Sequence, residues 1–435
     1  MADGNAGTWC RQSIRGRYRM SHRLIQLGLA LFMLVSMAVL PGWLASADDE
    51  VRWLLEYLPW VLLGAAGLVS FVYGLNKLGF MVLVCLGAYA LIRTQLQVPL
   101  TQGNVELIFW ALCLVAPLLI LLYDKLPERW LFGGYHLSAL MVALIPCALV
   151  YGLLGRDPQG SHAALAGWFE LLGGYPAPWL TLLPMAGYFC ACALGQSRRQ
   201  DRGDSASLLC LMALALTCFN FDVAAISSLM FTCLGLALLL LLVLHSYRLA
   251  FYDLLTGVRN RRSLDARLKG IRGRYQVAMV DVDHFKSFND AFGHDVGDDV
   301  LRLVAQRLSR VGAGGRVYRY GGEEFAILFP SRDRRRCLAA LEAIRQVIAD
   351  YPFQVRDRQP GGSSRRRHRT SAPKIPPQTI TVSMGLAQAR FDETGAEAVI
   401  RRADELLYQA KQAGRNCIRA DVAVSRRPTR RRAVA

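Results

Sequence analysis

The pattern of hydrophobic and polar positions divides the chain near residue 245. Residues 24–245 are dominated by Leu, Ala, Gly, Val and aromatic side chains, whereas residues 246–435 mix apolar and polar positions as water-soluble domains do. A bilayer core of about 30 Å requires about 20 mostly apolar residues per helix. The pattern therefore predicts a multi-span α-helical membrane domain (24–245) followed by a globular α/β domain (246–420).

The membrane half has room for eight spans. They cover roughly residues 24–45, 54–75, 78–92, 105–123, 135–154, 177–195, 206–221 and 223–245. The third is the shortest, because only about fifteen residues separate Lys77 from Arg93. A cleaved signal peptide is a less favoured reading of the first span, because its apolar part is too long.

Basic residues predict the orientation. Five arginines lie in the segment 1–23, and further basic residues fall in alternate loops. Cytoplasmic loops carry an excess of Lys and Arg, so both the N-terminus and the soluble half are expected in the cytoplasm. An odd number of spans would put one end on the wrong side, which favours eight over seven.

Charges are sparse within the spans. Glu56 and Asp222 lie near predicted ends, and neither resembles half of an ion pathway. A sensor, an anchor or a dimerisation platform is therefore favoured over a transporter. The eleven cysteines predict neither a disulfide framework nor a zinc site.

The last span is followed almost immediately by the soluble half. We expect its helix to continue to about Leu255, as a rigid joint that transmits movement of the membrane helices. Apolar runs then predict strands at 275–283, 379–388 and on both sides of Gly321-Gly322, and helices at 296–311, 336–351 and 395–414. A mixed sheet flanked by helices is the natural architecture.

Two segments have no apolar period. Residues 356–378 are rich in Pro, Gly, Ser and Arg, and we interpret them as a disordered basic loop that joins two strands. The tail 421–435 is basic and predicted to be disordered.

Two clusters of carboxylates are the candidates for chemistry. Asp281 and Asp283 lie at the end of a predicted strand, and we expect them on opposite faces. Glu323 and Glu324 follow two glycines at the tip of a predicted hairpin. Carboxylate oxygens suit Mg²⁺, although an Asp-rich turn at the end of a strand is an equally good reading of the first pair.

Three cations complete the set. Lys286 follows the first strand, and Lys411 and Arg415 are expected to end the last helix on one face, four residues apart. They suit a polyphosphate, although cations also favour helix C-termini for the dipole alone.

Together these pieces resemble the GGDEF family of diguanylate cyclases, in its GGEEF form, over roughly residues 250–420. The matching segments are "DLLTGVRNRRSL", "DVDHFKSFNDAFGHDVGDDVL", "RYGGEEF", "TVSMG" and "ADELLYQAKQAGRN". The resemblance implies a palm-like sheet related to nucleotidyl cyclases and polymerases. It also implies a bacterial inner-membrane enzyme that condenses two GTP into cyclic di-GMP and two pyrophosphates as a homodimer.

The resemblance also implies residue roles. Asp281, the main-chain carbonyl of Val282, Glu323 and Glu324 would bind Mg²⁺, two ions per site with Mn²⁺ as an alternative. Glu323 would accept the proton of the 3′-hydroxyl, with Glu324 beside it as the second catalytic carboxylate. Asn289 and Asp298 would read the guanine base, with His294 close to the substrate. The phosphates would be held by Lys286, Lys411 and Arg415, and Gly322 would leave room for the substrate.

One family motif is missing. The product-inhibition motif RxxD would place its Arg and Asp at Gly312 and Gly315. We therefore expect no primary inhibitory site and weak feedback inhibition by cyclic di-GMP.

Two other functions stay open beside the cyclase. A catalytically silent receptor that binds GTP or cyclic di-GMP would show altered metal or base positions, and there are none. The net charge of +18 and the Arg-rich runs suggest nucleic acid, but these runs lack interleaved aromatics. Contact with anionic lipid headgroups is the preferred reading.

Overall fold

The structure is a computed structural model that describes residues 6–97, 105–125, 204–271, 273–355, 376–390 and 395–421. These residues form two compact units, Met1–His245 and Ser246–Ala435. The predicted spans 135–154 and 177–195, nearly all of the 356–378 segment and the tail after residue 421 lie outside the described residues.

The described part of the first unit is helical. Its helices are α1 (Ala6–Ala45), α2 (Asp49–Val72), α3 (Asn76–Gln95), α4 (Val105–Lys125), α5 (Asp204–Phe219) and α6 (Ile226–Phe251). Four of them, α1, α2, α3 and α6, contain stretches long and apolar enough to cross a membrane. Within the described residues, the apolar stretches Ala111–Asp124 of α4 and Ala206–Phe219 of α5 are shorter, and the spans at 105–123 and 206–221 stay predictions.

Polar side chains tie three of these helices together. The Tyr89 hydroxyl on α3 donates to the Glu56 carbonyl oxygen on α2 at 2.7 Å and lies 3.0 Å from the Ser228 hydroxyl on α6. Arg93 also pairs with the Glu56 carboxylate at 2.5 Å. Glu56 therefore has a charged partner, Arg93, which lies near the end of α3.

The second unit contains a six-stranded mixed sheet. Its strands are β1 (Arg259–Asn260), β2 (Gln276–Val282), β3 (Arg316–Arg319), β4 (Glu324–Phe329), β7 (Val382–Gln388) and β8 (Ile418–Ala420), in the order β1-β3-β4-β2-β7-β8. Strand β2 is central and antiparallel to both β4 and β7, whereas the outer pairs β1–β3 and β7–β8 are parallel. The predicted mixed sheet is confirmed.

Helices cover both faces of the sheet. They are α7 (Arg261–Gly270), α8 (Phe285–Phe292), α9 (His294–Leu308), α10 (Arg334–Ala349) and α11 (Ala396–Gln412). Val280 and Val282 of β2 belong to the apolar core that includes residues of α9 and α10, whereas Val277 and Met279 belong to the core formed with α7 and α11. Because both faces are covered, every residue of β2 is buried, which explains its almost continuous apolar sequence.

A glycine sets the distance between β7 and α11. A Cβ atom at Gly385 would collide with the backbone of α11 at Ala403 and Leu407. Glycine therefore lets the helix backbone approach the strand closely, and this accounts for the last residue of "TVSMG".

Several predicted boundaries need correction. The helix predicted to end at Gly414 ends at Gln412, because Gly414 adopts the left-handed φ of +103°. The last apolar helix of the first unit, α6, ends at Phe251, before Leu255. Strands β5 (Pro352–Phe353) and β6 (Gln378–Thr379) pair antiparallel, so the basic segment between them does join two strands, as predicted.

Candidate active site

Two predicted site residues are paired on neighbouring strands of the sheet. Asp281, the penultimate residue of β2, lies directly opposite Glu324, the first residue of β4. Asp281 is buried, and Glu323 and Glu324 are half-buried. The predicted hairpin is confirmed, since β3 and β4 pair antiparallel on either side of Gly321-Gly322.

A network of hydrogen bonds holds the hairpin turn. The Arg319 guanidinium donates to the carbonyl oxygens of Gly321 and Gly322, at 3.2 Å and 2.6 Å respectively. Its other edge makes two 3.0 Å bonds to the Asp253 carboxylate. Asp253 also accepts from the Thr256 amide and hydroxyl.

Arg319 and Asp253 were missed as site residues. Burial opposes the charge on Asp253, but the hydrogen bonds from Thr256 and Arg319 outweigh it and lower the pKa of this carboxyl. The available signal was their position inside the matching segments "RYGGEEF" and "DLLTG". Arg319 therefore connects the start of the domain to the turn that presents the glutamates.

Lys411 supplies the nearest positive charge to this cluster. Its ammonium lies 3.0 Å from the Asp281 carboxylate. Burial raises the pKa of Asp281, and the hydrogen bond from Lys411 opposes this shift. Burial and repulsion by Asp281 likewise raise the pKa of both Glu323 and Glu324. Three carboxylates that repel one another are thus held in one place with one lysine partly neutralising them.

The donor set fits a hard divalent cation. Carboxylate oxygens are preferred ligands of Mg²⁺, and a cation would offset both the burial and the repulsion that raise these pKa values. Among the described residues, however, no three acidic, His or Cys side chains form a ready-made ligand cluster. Lys411 occupies one Asp281 oxygen, and the Val282 carbonyl sits at the end of β2 beside this cluster.

Arg415 is not on the helix that carries Lys411. It follows Gly414 in a turn and adopts a left-handed φ of 63°, so the predicted common helical face is wrong. Its charge nevertheless lowers the pKa of Asp281, which places the guanidinium near the carboxylates. Lys286, in the first turn of α8, and Gly322 are exposed.

The residues predicted to read the base cluster on α8 and α9. Asn289 lies on α8, and its side-chain oxygen is buried without a hydrogen-bond partner in the described part of the chain. A Cβ atom at Gly297 would overlap that oxygen, so Gly297, which sequence reasoning missed, makes room for it. Asp298 follows on α9, 3.6 Å from Arg302, and His294 is exposed at the start of α9.

Asp283 follows the strand that carries Asp281. Strand β2 ends at Val282, so Asp283 lies one residue beyond it, and the expectation that the two carboxylates point to opposite faces stays a prediction. Asp283 accepts hydrogen bonds from the Thr381 and Ser383 hydroxyls, both at 2.7 Å, and from the Asn416 amide at 3.0 Å. It is engaged by protein donors rather than turned toward the glutamates.

The two positions of the missing inhibitory motif differ in the space around them, since a Cβ atom at Gly312 would make only an ordinary 3.6 Å contact with Ala340. A Cβ atom at Gly315 would lie 2.7 Å from side-chain atoms of Phe329 and Val311. An aspartate therefore does not fit at this position without movement of the core.

Comparison with known proteins supports the resemblance. The family described as "GGDEF: Diguanylate cyclase, GGDEF domain" matches residues 250–417. The response regulator PleD of Caulobacter vibrioides is 36% identical over 182 residues, which are 40% of this chain and 37% of PleD. The diguanylate cyclase VdcA of Vibrio cholerae is 37% identical over 171 residues, 38% of this chain and 46% of VdcA. The matched segment thus spans less than half of either relative.

Among solved structures, the coiled coil and GGDEF domain of DgcB from Caulobacter crescentus, crystallised with c-di-GMP, is 31% identical. The match covers 41% of this chain and 90% of that structure, with a TM-score of 0.35.

Proposed function

Because residues 250–417 belong to the GGDEF family of diguanylate cyclases, we propose that this chain condenses two GTP molecules into cyclic di-GMP and two pyrophosphates. The observation that carries the proposal is the placement of Asp281 opposite Glu324, with Glu323 beside them and Lys411 on Asp281. Such a cluster of carboxylates and cations suits phosphoryl transfer, where positioning and charge stabilisation dominate catalysis.

Glu323 is the proposed proton acceptor. The 3′-hydroxyl oxygen of one GTP attacks the α-phosphorus of the other, its proton passes to Glu323, and the bond to pyrophosphate breaks. Burial and the neighbouring carboxylates raise the pKa of Glu323, which brings it closer to the neutral range where a general base is most effective.

Asp281, the Val282 carbonyl, Glu323 and Glu324 are the proposed ligands of Mg²⁺, or of Mn²⁺, two ions per site. When bound, the metal supplies Lewis-acid polarisation of phosphate oxygens and neutralises developing charge. Lys411, which binds Asp281 in this structure, would be free to bind the phosphates if Asp281 held a metal ion. Lys286 and Arg415 are proposed to bind phosphate as well.

Asn289 and Asp298 are proposed to read the guanine base, with His294 close to the substrate and Gly322 leaving room for it. The buried, unpaired Asn289 oxygen supports this assignment, because a buried acceptor without a partner costs free energy that a ligand donor would recover.

Each domain is proposed to hold one GTP, so activity requires a homodimer. The apolar helices of the first unit support a location in the bacterial inner membrane. The N-terminus and the cyclase domain would face the cytoplasm, the basic segments would lie near anionic lipid headgroups, and the membrane domain would regulate activity.

The test is an assay of full-length protein in detergent with GTP and Mg²⁺, measuring cyclic di-GMP. The wild type should form product, and the Glu323→Ala, Glu324→Ala variant should not. Glu405→Gln, which changes an exposed glutamate on α11, should retain full activity. Binding of GTP without product in either Mg²⁺ or Mn²⁺ would instead support the silent receptor.

A further inference from the structure

Asp283 is a buried carboxylate whose oxygens are fully engaged. One oxygen accepts from the Ser383 hydroxyl at 2.7 Å. The other accepts from the Thr381 hydroxyl at 2.7 Å and from the Asn416 amide at 3.0 Å. The residue is only 8% exposed. Burying a charge is unfavourable unless hydrogen bonds compensate it, and these three hydrogen bonds do so for Asp283.

The Asn416 amide belongs to an unusual turn. The residues after α11, 413–417, include Arg415 and Asn416, which have φ values of 63° and 46°. Left-handed residues that are not glycine are disfavoured, Arg more so than Asn. Such a backbone persists only where its surroundings hold it. We call residues 413–417 the cationic turn.

Asn416 is held from two sides. Its amide donates to Asp283, and its side-chain oxygen accepts from Arg345 of α10 at 2.6 Å. Arg345 is itself fixed by two bonds to Glu342 one turn earlier on α10. The contact between Asp283 and Asn416 joins positions 133 residues apart in the chain.

The same strand end holds α11 and its turn at two points. Asp281 binds Lys411, near the end of α11, and Asp283 binds Asn416, directly after Arg415. We propose that Asp283 is a positioning residue, which fixes the strained cationic turn and thereby directs Arg415 toward the carboxylate cluster. The proposal rests on the cyclase function, because it assigns Arg415 to phosphate binding at the same site.

The first test measures the turn itself. Amide hydrogen exchange of residues 414–417 is compared in the nucleotide-free full chain. Asp283→Ala should accelerate exchange at these amides by at least about tenfold, since a charge-assisted bond is lost. Ser383→Ala, which removes a bond to the same carboxylate on the side away from the turn, should not. Unchanged exchange in Asp283→Ala would overturn the proposal.

The second test measures the consequence. Asp283→Ala and Arg415→Ala should each weaken Mg·GTP binding about tenfold, the loss expected for a charge-assisted contact. The double variant should be no weaker than either single variant, because both changes remove the same interaction. Additive losses would overturn the proposal, since Asp283 would then act independently of Arg415.

A milder variant distinguishes loss of the contact from a folding defect in Asp283→Ala. Asp283→Asn keeps the side-chain volume and replaces a charged acceptor with a neutral one, so the same two effects should appear at smaller size. Both readouts are independent of turnover. Wild type that binds GTP but forms no cyclic di-GMP would refute the cyclase proposal and leave the exchange and binding results to decide the role of Asp283.

Discussion

Asp281 and Glu324 lie directly opposite each other on the antiparallel strands β2 and β4. Cβ atoms of such pairs are about 5 Å apart, and like charges there are destabilising. The arrangement therefore disfavours the folded state unless a cation is present, and in this structure Lys411 partly provides it. A pair that weakens the fold is best explained by what it binds.

Mg²⁺ is expected to stabilise the second unit. At a concentration about 100 times its Kd, the ion should raise the calorimetric unfolding midpoint by roughly 5–10 °C. Glu324→Gln should raise the metal-free midpoint and abolish most of the response. Glu405→Gln, the matched exposed variant, should keep the wild-type response. An equal response in all three proteins would argue against Glu324 as a ligand.

The pH dependence of stability should have a definite sign. The pKa values of Glu323 and Glu324 are raised above their ordinary 4.5 in the folded state, so the folded chain binds these protons more tightly than the unfolded chain. Without metal, their contribution should therefore destabilise the fold as pH rises from about 4.5 through the raised values. Denaturant titrations with a chelator should show a smaller decline for Glu323→Gln, Glu324→Gln. An identical decline of stability with pH in the wild type and the variant would contradict the raised pKa values of Glu323 and Glu324.

Gly297→Ala should impair guanine-nucleotide binding. The added methyl group collides with the side-chain oxygen of Asn289, so that side chain must leave its place. We expect at least about tenfold weaker GTP binding, the loss typical for one misplaced buried hydrogen bond. Gly270→Ala, at a helical glycine with open space around it, is the control. Unchanged affinity for GTP in Gly297→Ala would exclude Asn289 from base recognition.

Arg319→Lys should reduce kcat. Lysine cannot reproduce the paired bonds to Asp253 and the two glycine carbonyls, so the turn that carries Glu323 loses its anchor. A shift of about 1 Å at a reacting group costs roughly a hundredfold in rate. Arg316→Lys, an exposed change on the same strand, should have little effect, and comparable losses in both variants would point to a general defect of β3.

Product inhibition should be weak. With glycines at 312 and 315, the chain lacks the charged pair of the inhibitory motif, so adding cyclic di-GMP should leave the initial rate nearly unchanged. Gly315→Asp should lower the free energy of unfolding by about 1–3 kcal/mol, because the side chain overpacks the core beside Phe329. Strong non-competitive inhibition of the wild type would show another product site.

Local patterns predicted much of the fold. The buried run that forms β2, the two strands around the glycine pair and the amphipathic helices α9, α10 and α11 were all found within a few residues. The strand predicted at 379–388 is divided into β6 and β7. The short strands β1, β5 and β8 and the helices α7 and α8 were missed, because elements this short or this polar depend on their neighbours rather than on their own periodicity.

The sequence by itself determined the division into an apolar and a soluble half and the chemical identity of the cluster at the hairpin. Only the tertiary structure decided which partners each acidic residue binds. Asp281 and Asp283 are two residues apart and alike in sequence, yet one binds Lys411 and faces Glu324, while the other holds the cationic turn. Their partners come from strand pairing and from residues 98 to 133 positions away, and no local pattern encodes contacts at that separation.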